Sequence, residues 1–279
     1  MKICLIGTGL IGGSIVLKLR DKGLVSYVAG VDKNNKNLQD ALSIGIIDDA
    51  CTLSEALDKT DLVILAIPVD AALALLPSLM NQITHHVVMD VGSTKAAICR
   101  AADNHPFRKR FVATHPMWGT EFNGPKAARS DSFTGKAAVI CDKDGSDPDA
   151  LDAVENLYRN LDMHIVYMQP EAHDLHTAYV SHVSHITSFA LANTVLEKEK
   201  EDDKIFELAS AGFESTVRLA KSNPEMWVPI FRQNKENVLD VLNEHISQLR
   251  KFKACLEKDN YEYLEELITQ ANRINQILK

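Results

Sequence analysis

The tightest constraint on this chain's fold lies at its N-terminus. The apolar run Lys2–Ile6 reads as a buried strand. It leads at once into Gly7-Thr8-Gly9-Leu10-Ile11-Gly12, and Ile11–Lys22 then reads as an amphipathic helix. So abrupt a turn needs glycine where the backbone leaves the ordinary φ range and where strand and helix touch. The same glycines let a pyrophosphate approach the main chain, and the N–H groups that open the helix point at the anion. Gly7, Gly9, Leu10, Ile11 and Gly12 are therefore candidate cofactor-binding residues. Tyr27–Asp32 reads as the next strand, and Asp32 lies 25 residues beyond Gly7, near the spacing of an acid that holds a ribose 2′-hydroxyl. A carboxylate there repels a 2′-phosphate, which predicts NAD over NADP. Lys33 beside it weakens that preference, and in the competing reading Asp32 only caps the next helix.

Strand-like runs recur at 62–67, Val87–Asp90, 111–114, Ala137–Cys141 and His164–Met168, with helical stretches between them such as 149–160. The run 62–67 is apolar throughout, as a strand buried on both faces requires, and Pro68 prevents its continuation. This alternation predicts an α/β, Rossmann-type N-terminal domain whose mostly parallel sheet is covered by helices. After Pro170 the strand signals fade. Val238, Val241, Leu242, His245, Ile246 and Leu249 keep a helical period, and so do Leu264, Leu267, Ile268, Ala271, Ile274 and Ile277. The expected division is a dinucleotide-binding domain at 1–168 and an all-α C-terminal domain at 169–279. Apolar stripes of that length pack within a fold or across a dimer, and periodicity does not separate the two. The charged run 197–204 reads as a solvated helix end or loop.

Composition removes several classes of function. Thirty Lys and Arg against 38 Asp and Glu give a net charge of −8, without the cationic footprint of a nucleic-acid binder. The cysteines at 4, 51, 99, 141 and 255 are odd in number and form no C-x-x-C pair. That argues against a disulfide framework or zinc ribbon and for a reduced, cytoplasmic protein. No stretch reaches the ~18 apolar residues of a membrane span.

Four further segments carry candidate chemistry. His115, in Thr114-His115-Pro116-Met117-Trp118-Gly119-Thr120-Glu121, follows a strand. The carboxyl ends of strands line the ligand crevice of open α/β sheets, so His115 is placed to take a proton from a hydroxyl. Its competing reading is a structural loop histidine. Asp90-Val91-Gly92-Ser93-Thr94-Lys95 also follows a strand. There Ser93 either reaches nicotinamide or substrate, or caps the following helix. His182 and His185 share a helical face, but no carboxylate at a matching offset completes a metal site. One of the pair is expected to bind substrate and the other to pack. Arg218 stands in an otherwise apolar stretch, which suits bidentate capture of a carboxylate or a structural ion pair.

Taken together, GTGLIGGS, DVGSTK, THPMWGTE, SHVSH and SAGFESTVRLAKSNPEMW resemble the prephenate/arogenate dehydrogenase family of tyrosine biosynthesis, in order and across nearly the whole chain. The resemblance implies hydride transfer from ring carbon C4 of prephenate or arogenate to NAD⁺, loss of the C4 hydroxyl proton, and decarboxylation that aromatises the ring. It implies that His115 and Ser93 are catalytic, that His182 and Arg218 bind substrate, and that Glu121 gates the site or forms an ion pair. A homodimer formed through the helical domain is also implied, with no metal and with a small molecule as the substrate. Trp118 stands where relatives often have a small residue, and Ser184 where they often have proline, so the pocket rim is expected to differ. No fused chorismate mutase or C-terminal regulatory domain is expected. The nearest rival class, the β-hydroxyacid dehydrogenases, would rely on a helical-domain lysine, for which Lys221 is the candidate.

Overall fold

The computed structural model describes residues 1–200 and 204–277, so residues 201–203 of the charged run lie outside the described residues. The strands are β1 (Lys2–Ile6), β2 (Tyr27–Val31), β3 (Asp49–Ala50), β4 (Leu62–Leu65), β5 (Val87–Asp90), β6 (Phe111–Pro116), β7 (Ala137–Cys141) and β8 (His164–Met168). They form one sheet in the order β3-β2-β1-β4-β5-β6-β7-β8. Every neighbouring pair is parallel except β6 with β7, where Ala113 pairs with Cys141 and Pro116 with Ala138. The helices of this part are α1 (Leu10–Asp21), α2 (Asn35–Ser43), α3 (Leu53–Leu57), α4 (Val69–Met80), α5 (Ala96–Ala102) and α6 (Pro148–Asn160).

The pleat of β1 explains why both sheet faces are covered. Ile3 and Leu5 point into a layer with Ile15, Val16 and Leu19 of α1 and Val154, Leu157 and Tyr158 of α6. Cys4 and Ile6 point the other way, into Ala72, Leu76 and Leu79 of α4 and Ile98 and Cys99 of α5. Each large apolar side chain fully removed from water contributes roughly 1.5–3 kcal/mol, so this double burial dominates the stability of the sheet. The period-two alternation also fixes register, because a one-residue slip would exchange the two layers.

The rest of the chain is helical: α7 (Pro170–Thr177), a π-helical turn (Ala178–His182), α8 (Val183–Glu199), α9 (Ala211–Val217), α10 (Pro224–Gln233), α11 (Lys235–Glu257) and α12 (Tyr261–Ala271). Pro170 and Pro224 begin α7 and α10, where their missing N–H would have no helical partner anyway. Trp227 and Ile230 of α10 pack on Val69 at the start of α4. Beside that seam Thr94 donates to Gln233 Oε1 at 2.7 Å, and Gln233 Nε2 donates to Asp70 at 2.8 Å. The helical part thus docks along the carboxyl edge of the parallel strands, where ligands of open α/β sheets bind.

The apolar stripe of α11 divides. Val238 and Val241 are buried with Ala178, while Leu249 and Leu256 are 55% and 60% exposed. Ile268 and Ile274 are likewise about half exposed. No helix among the described residues is long and apolar enough to cross a membrane.

Candidate active site

The glycine turn is shaped by three different demands. Gly7 has φ +93°, and a Cβ there would collide with the Ala66 carbonyl. A Cβ on Gly12 would stand 2.7 Å from Gly7 O and from Leu5 Cδ1, so the close packing of α1 on β1 needs its absence. Gly9 differs, with nothing within 4 Å of the place a Cβ would take. Its bare face opens onto free space at the start of α1. No side chain caps that helix, so the N–H groups of its first turn, at Leu10, Ile11 and Gly12, remain available to an anion. The cradle therefore fits a pyrophosphate lying against the main chain.

Asp32 closes the same loop. Its Oδ2 accepts from Thr8 N at 3.0 Å and Thr8 Oγ1 at 3.1 Å, and its Oδ1 accepts from Asn34 N at 2.9 Å. The carboxylate ties the glycine turn to the end of β2 and stays half-exposed beside it. It does not cap α2. Asn34 does, accepting from Lys36 N.

Beneath the site, the ends of β5 and β6 are locked by a buried ion pair. Lys95 Nζ pairs with Asp90 Oδ2 and donates to the Thr114 carbonyl at 2.7 Å. Asp90 Oδ1 accepts from Thr114 N at 3.1 Å, and the Thr114 hydroxyl meets Tyr158 Oη. Both charges are almost fully buried and multiply hydrogen-bonded, the condition under which such a pair is tolerated. Ser93, between Gly92 and this pair, is half-buried and its hydroxyl has no protein partner among the described residues. It does not cap α5. Instead Asp174, from the helical part, accepts from Lys95 N at 2.7 Å and Ala96 N at 2.9 Å.

Asp174 is also the end of a relay. Its Oδ1 lies 2.9 Å from His173 Nδ1, and His173 Nε2 lies 2.9 Å from His115 Nδ1. A carboxylate only accepts, so His173 carries its proton on Nδ1 and offers a lone pair at Nε2. His115 must then donate from Nδ1, which leaves its Nε2 unprotonated. The arrangement thus assigns His115 Nε2 as a proton acceptor. Burial pulls the His115 pKa well below the ordinary histidine value, and the neighbouring His173, Lys95 and His182 add to the effect. Burial likewise lowers His173, against the opposing hydrogen bond from Asp174. Burial alone would raise Asp174, but bonds from His173 and from the N–H groups of Ala96 and Lys95 hold it below the usual carboxylate range.

The two histidines of the SHVSH segment have different surroundings. His182 closes the π-helical turn, is buried, and lies edge-on to Trp227 and Phe231. His185 stacks on Trp227 at 3.5 Å between ring centroids and bonds through Nδ1 to the Ser181 carbonyl. Both rings touch Trp227, His182 edge-on and His185 stacked, and among the described residues no group of three or more His, Cys, Asp or Glu side chains is placed to hold a metal ion. Arg218 and Glu121 meet across the two parts of the chain at 3.2 Å, with side chains 50% and 18% exposed. Glu121 is held below its usual pKa first by its own main-chain N–H, against the opposing effect of burial, and then by Arg218. Trp118 stands edge-on to Phe133, while Ser184 and Lys221 are exposed.

His173 and Asp174 carry much of this geometry and lie outside every motif singled out in the sequence, whereas Asp90 and Lys95 are the two ends of one such motif, whose spacing did not reveal their buried ion pair. The adjacent His-Asp after Pro170 was the only local signal.

Two family profiles match the chain: prephenate dehydrogenase, nucleotide-binding domain, over residues 15–167, and prephenate dehydrogenase, dimerization domain, over residues 169–270. The prephenate dehydrogenase of Bacillus subtilis is 33% identical over 266 residues, covering 94% of this chain and 72% of that protein. The crystal structure of prephenate dehydrogenase from A. aeolicus, in complex with hydroxyphenyl propionate and NAD+, superposes with a TM-score of 0.91 at 28% identity. It covers 100% of this chain and 98% of the other. Synechocystis arogenate dehydrogenase superposes at 0.78 and 28% identity, with both chains fully covered. On this profile coverage and identity, the chain belongs to the prephenate dehydrogenase family.

Proposed function

We propose that this chain is an NAD-dependent prephenate dehydrogenase, converting prephenate to 4-hydroxyphenylpyruvate and CO₂. The observation that carries the reading is the hydrogen-bonded chain from Asp174 through His173 to His115 Nδ1, which leaves His115 Nε2 as the acceptor at the edge of the sheet that also bears the glycine cradle. NAD⁺ would be held by Gly7, Gly9, Leu10, Ile11 and Gly12 at the pyrophosphate and by Asp32 at a ribose, and when bound it supplies the hydride acceptor.

The residues of the chain handle the proton and the orientation. His115 Nε2 accepts the hydrogen bond of the C4 hydroxyl and takes its proton as the C4–O bond gains carbonyl character. Ser93, whose hydroxyl is unspent, orients that oxygen. Arg218 offers guanidinium N–H groups to a substrate carboxylate. In the structure it is paired with Glu121, so this ion pair must loosen or share its donors when an anion enters. His182 lines the substrate side. Loss of CO₂ then aromatises the ring, which makes the sequence of steps irreversible.

The half-exposed apolar residues of α11 and α12 support assembly as a homodimer through the helical part, in keeping with the dimerization-domain match. A second reading, arogenate as substrate, is favoured by the likeness to the Synechocystis enzyme. Parallel initial rates with prephenate and L-arogenate, each with NAD⁺ and NADP⁺, test both. Turnover of prephenate with NAD⁺ supports the first reading, and turnover of arogenate alone replaces the substrate.

A further inference from the structure

The two buried histidines near the seam are held by different kinds of partner, and the partners dictate opposite hydrogen-bonding faces. Asn234 sits at the junction of α10 and α11. Its N–H donates to Ile230 O at 3.0 Å, and its carbonyl accepts from Val238 N at 3.0 Å. The main chain there is therefore fixed, and the side chain is buried. Asn234 Nδ2 lies 2.6 Å from the main-chain carbonyl of Asp174, an atom that only accepts. Asn234 Oδ1 accepts from Asn237 Nδ2 at 2.7 Å. Both contacts orient the amide the same way. The second Nδ2 hydrogen meets His182 Nδ1 at 3.1 Å. An amide nitrogen does not accept, so His182 Nδ1 bears the lone pair and its proton sits on Nε2.

We propose that Asn234 is a positioning residue that fixes His182 as an Nε2–H donor toward the substrate, opposite in polarity to the Nε2 acceptor of His115. The proposal rests on the reading of His115 and His182 as substrate-side residues. Asp174 links the two, since its carboxylate orients His173 and hence His115, while its main-chain carbonyl orients Asn234 and hence His182. The site then sorts groups by polarity, with a hydroxyl at His115 and an acceptor oxygen, carbonyl or carboxylate, at His182. Asp174, His173 and His185 are the titratable groups that act on His182, and Trp227 and Phe231 cover its ring edge-on. Burial, against the opposing charge of Asp174, takes its pKa down to about 4, so the donor is a neutral imidazole near neutral pH.

Tautomers are read directly by long-range ¹H–¹⁵N correlation on the full chain with ¹⁵N-labelled histidine, at neutral pH. Single His→Gln variants assign the signals. The expected pattern is a protonated Nε2 with a bare Nδ1 for His182, and the reverse for His115 and His173. A protonated Nδ1 or an averaged pattern at His182 overturns the proposal. In enzyme assays, Asn234→Leu is expected to raise KM for prephenate about tenfold, with kcat changed less than about threefold, because one oriented hydrogen bond to bound substrate is lost. The acid limb of kcat/KM, which belongs to His115, stays where it is. A wild-type KM in that variant overturns the proposal. The two readings fail separately. The expected tautomers without any dehydrogenase activity remove the assigned reaction and leave the Asn234 assignment standing, whereas activity with reversed tautomers removes only the role of Asn234.

Discussion

The imidazoles of His115 on β6 and His173 on α7 meet Nδ1 to Nε2 at 2.9 Å, so the sheet and the helical part each supply half of one hydrogen-bonded histidine pair. Asp174 fixes both halves at once, because the carboxylate that orients His173 also receives the first N–H groups of α5. Docking of the helical part is therefore a condition for His115 to keep its lone pair on Nε2.

Replacing the base tests that unit. His115→Asn is expected to lower kcat by about 10²–10⁴ while KM for prephenate and for NAD⁺ stays within about threefold, the signature of a group that acts on the proton in flight. Initial rates of NADH formation check this. A variant with near wild-type kcat would remove His115 from the chemistry.

The pH dependence has a definite sign. In the proposed mechanism neutral His115 is the reactive form, and burial together with His173, Lys95 and His182 disfavours its cation. Activity should therefore persist below the ordinary histidine pKa of ~6.5, with the acid limb of kcat/KM displaced downward. A limb at or above that value contradicts the assignment.

Stability should respond to acid through His182. Its folded-state pKa is about 4. Between the ordinary value and that one, the unfolded chain takes up a proton that the folded chain refuses. Stability is then full above about pH 6.5 and falls by roughly 3 kcal/mol as the pH drops toward 4. Urea unfolding at about pH 7 and about pH 4.5 measures the loss, and His182→Gln should shrink the difference.

The glycines of the cradle should separate folding from cofactor binding. Gly7→Ala meets the Ala66 carbonyl and needs φ +93°, so a lower melting temperature and loss of NAD⁺ binding are both expected. Gly9→Ala meets no protein atom within 4 Å and its φ is −77°. Its melting temperature should match wild type while KM for NAD⁺ rises about tenfold or more, as the methyl intrudes on the pyrophosphate. Calorimetry and NAD⁺ titration of both variants distinguish the effects, and unchanged NAD⁺ binding in Gly9→Ala would place the cofactor elsewhere.

Most of the sheet was legible in the sequence because its central strands, such as β1, β4 and β5, are buried nearly throughout and so read as apolar runs. Val87–Asp90, Ala137–Cys141 and His164–Met168 fall where their apolar runs stand. The strand expected at 62–67 ends at Leu65, and that expected at 111–114 extends to Pro116 through its pairing with β7. β3 gave no signal, since two exposed residues, Asp49 and Ala50, carry no apolar pattern. The glycine turn, Asp32, Ser93 and His115 stood out through glycine spacing and strand ends, His182 through helical spacing and Arg218 as a charge in an apolar stretch. Their supports did not, because His173 and Asn234 reach the site only through tertiary contact, 58 and 52 residues from His115 and His182 respectively. A capping role for Ser93 was a sound local reading, overridden when Asp174 arrived from a distant helix.

The most direct test of the account is the initial rate of NADH formation by the purified full chain with prephenate and NAD⁺, run beside His115→Asn. The account requires 4-hydroxyphenylpyruvate and CO₂ as products from the wild type and a loss of about a hundredfold or more in the variant. Tight NAD⁺ binding with no turnover of prephenate or arogenate, or equal rates in both proteins, would contradict it.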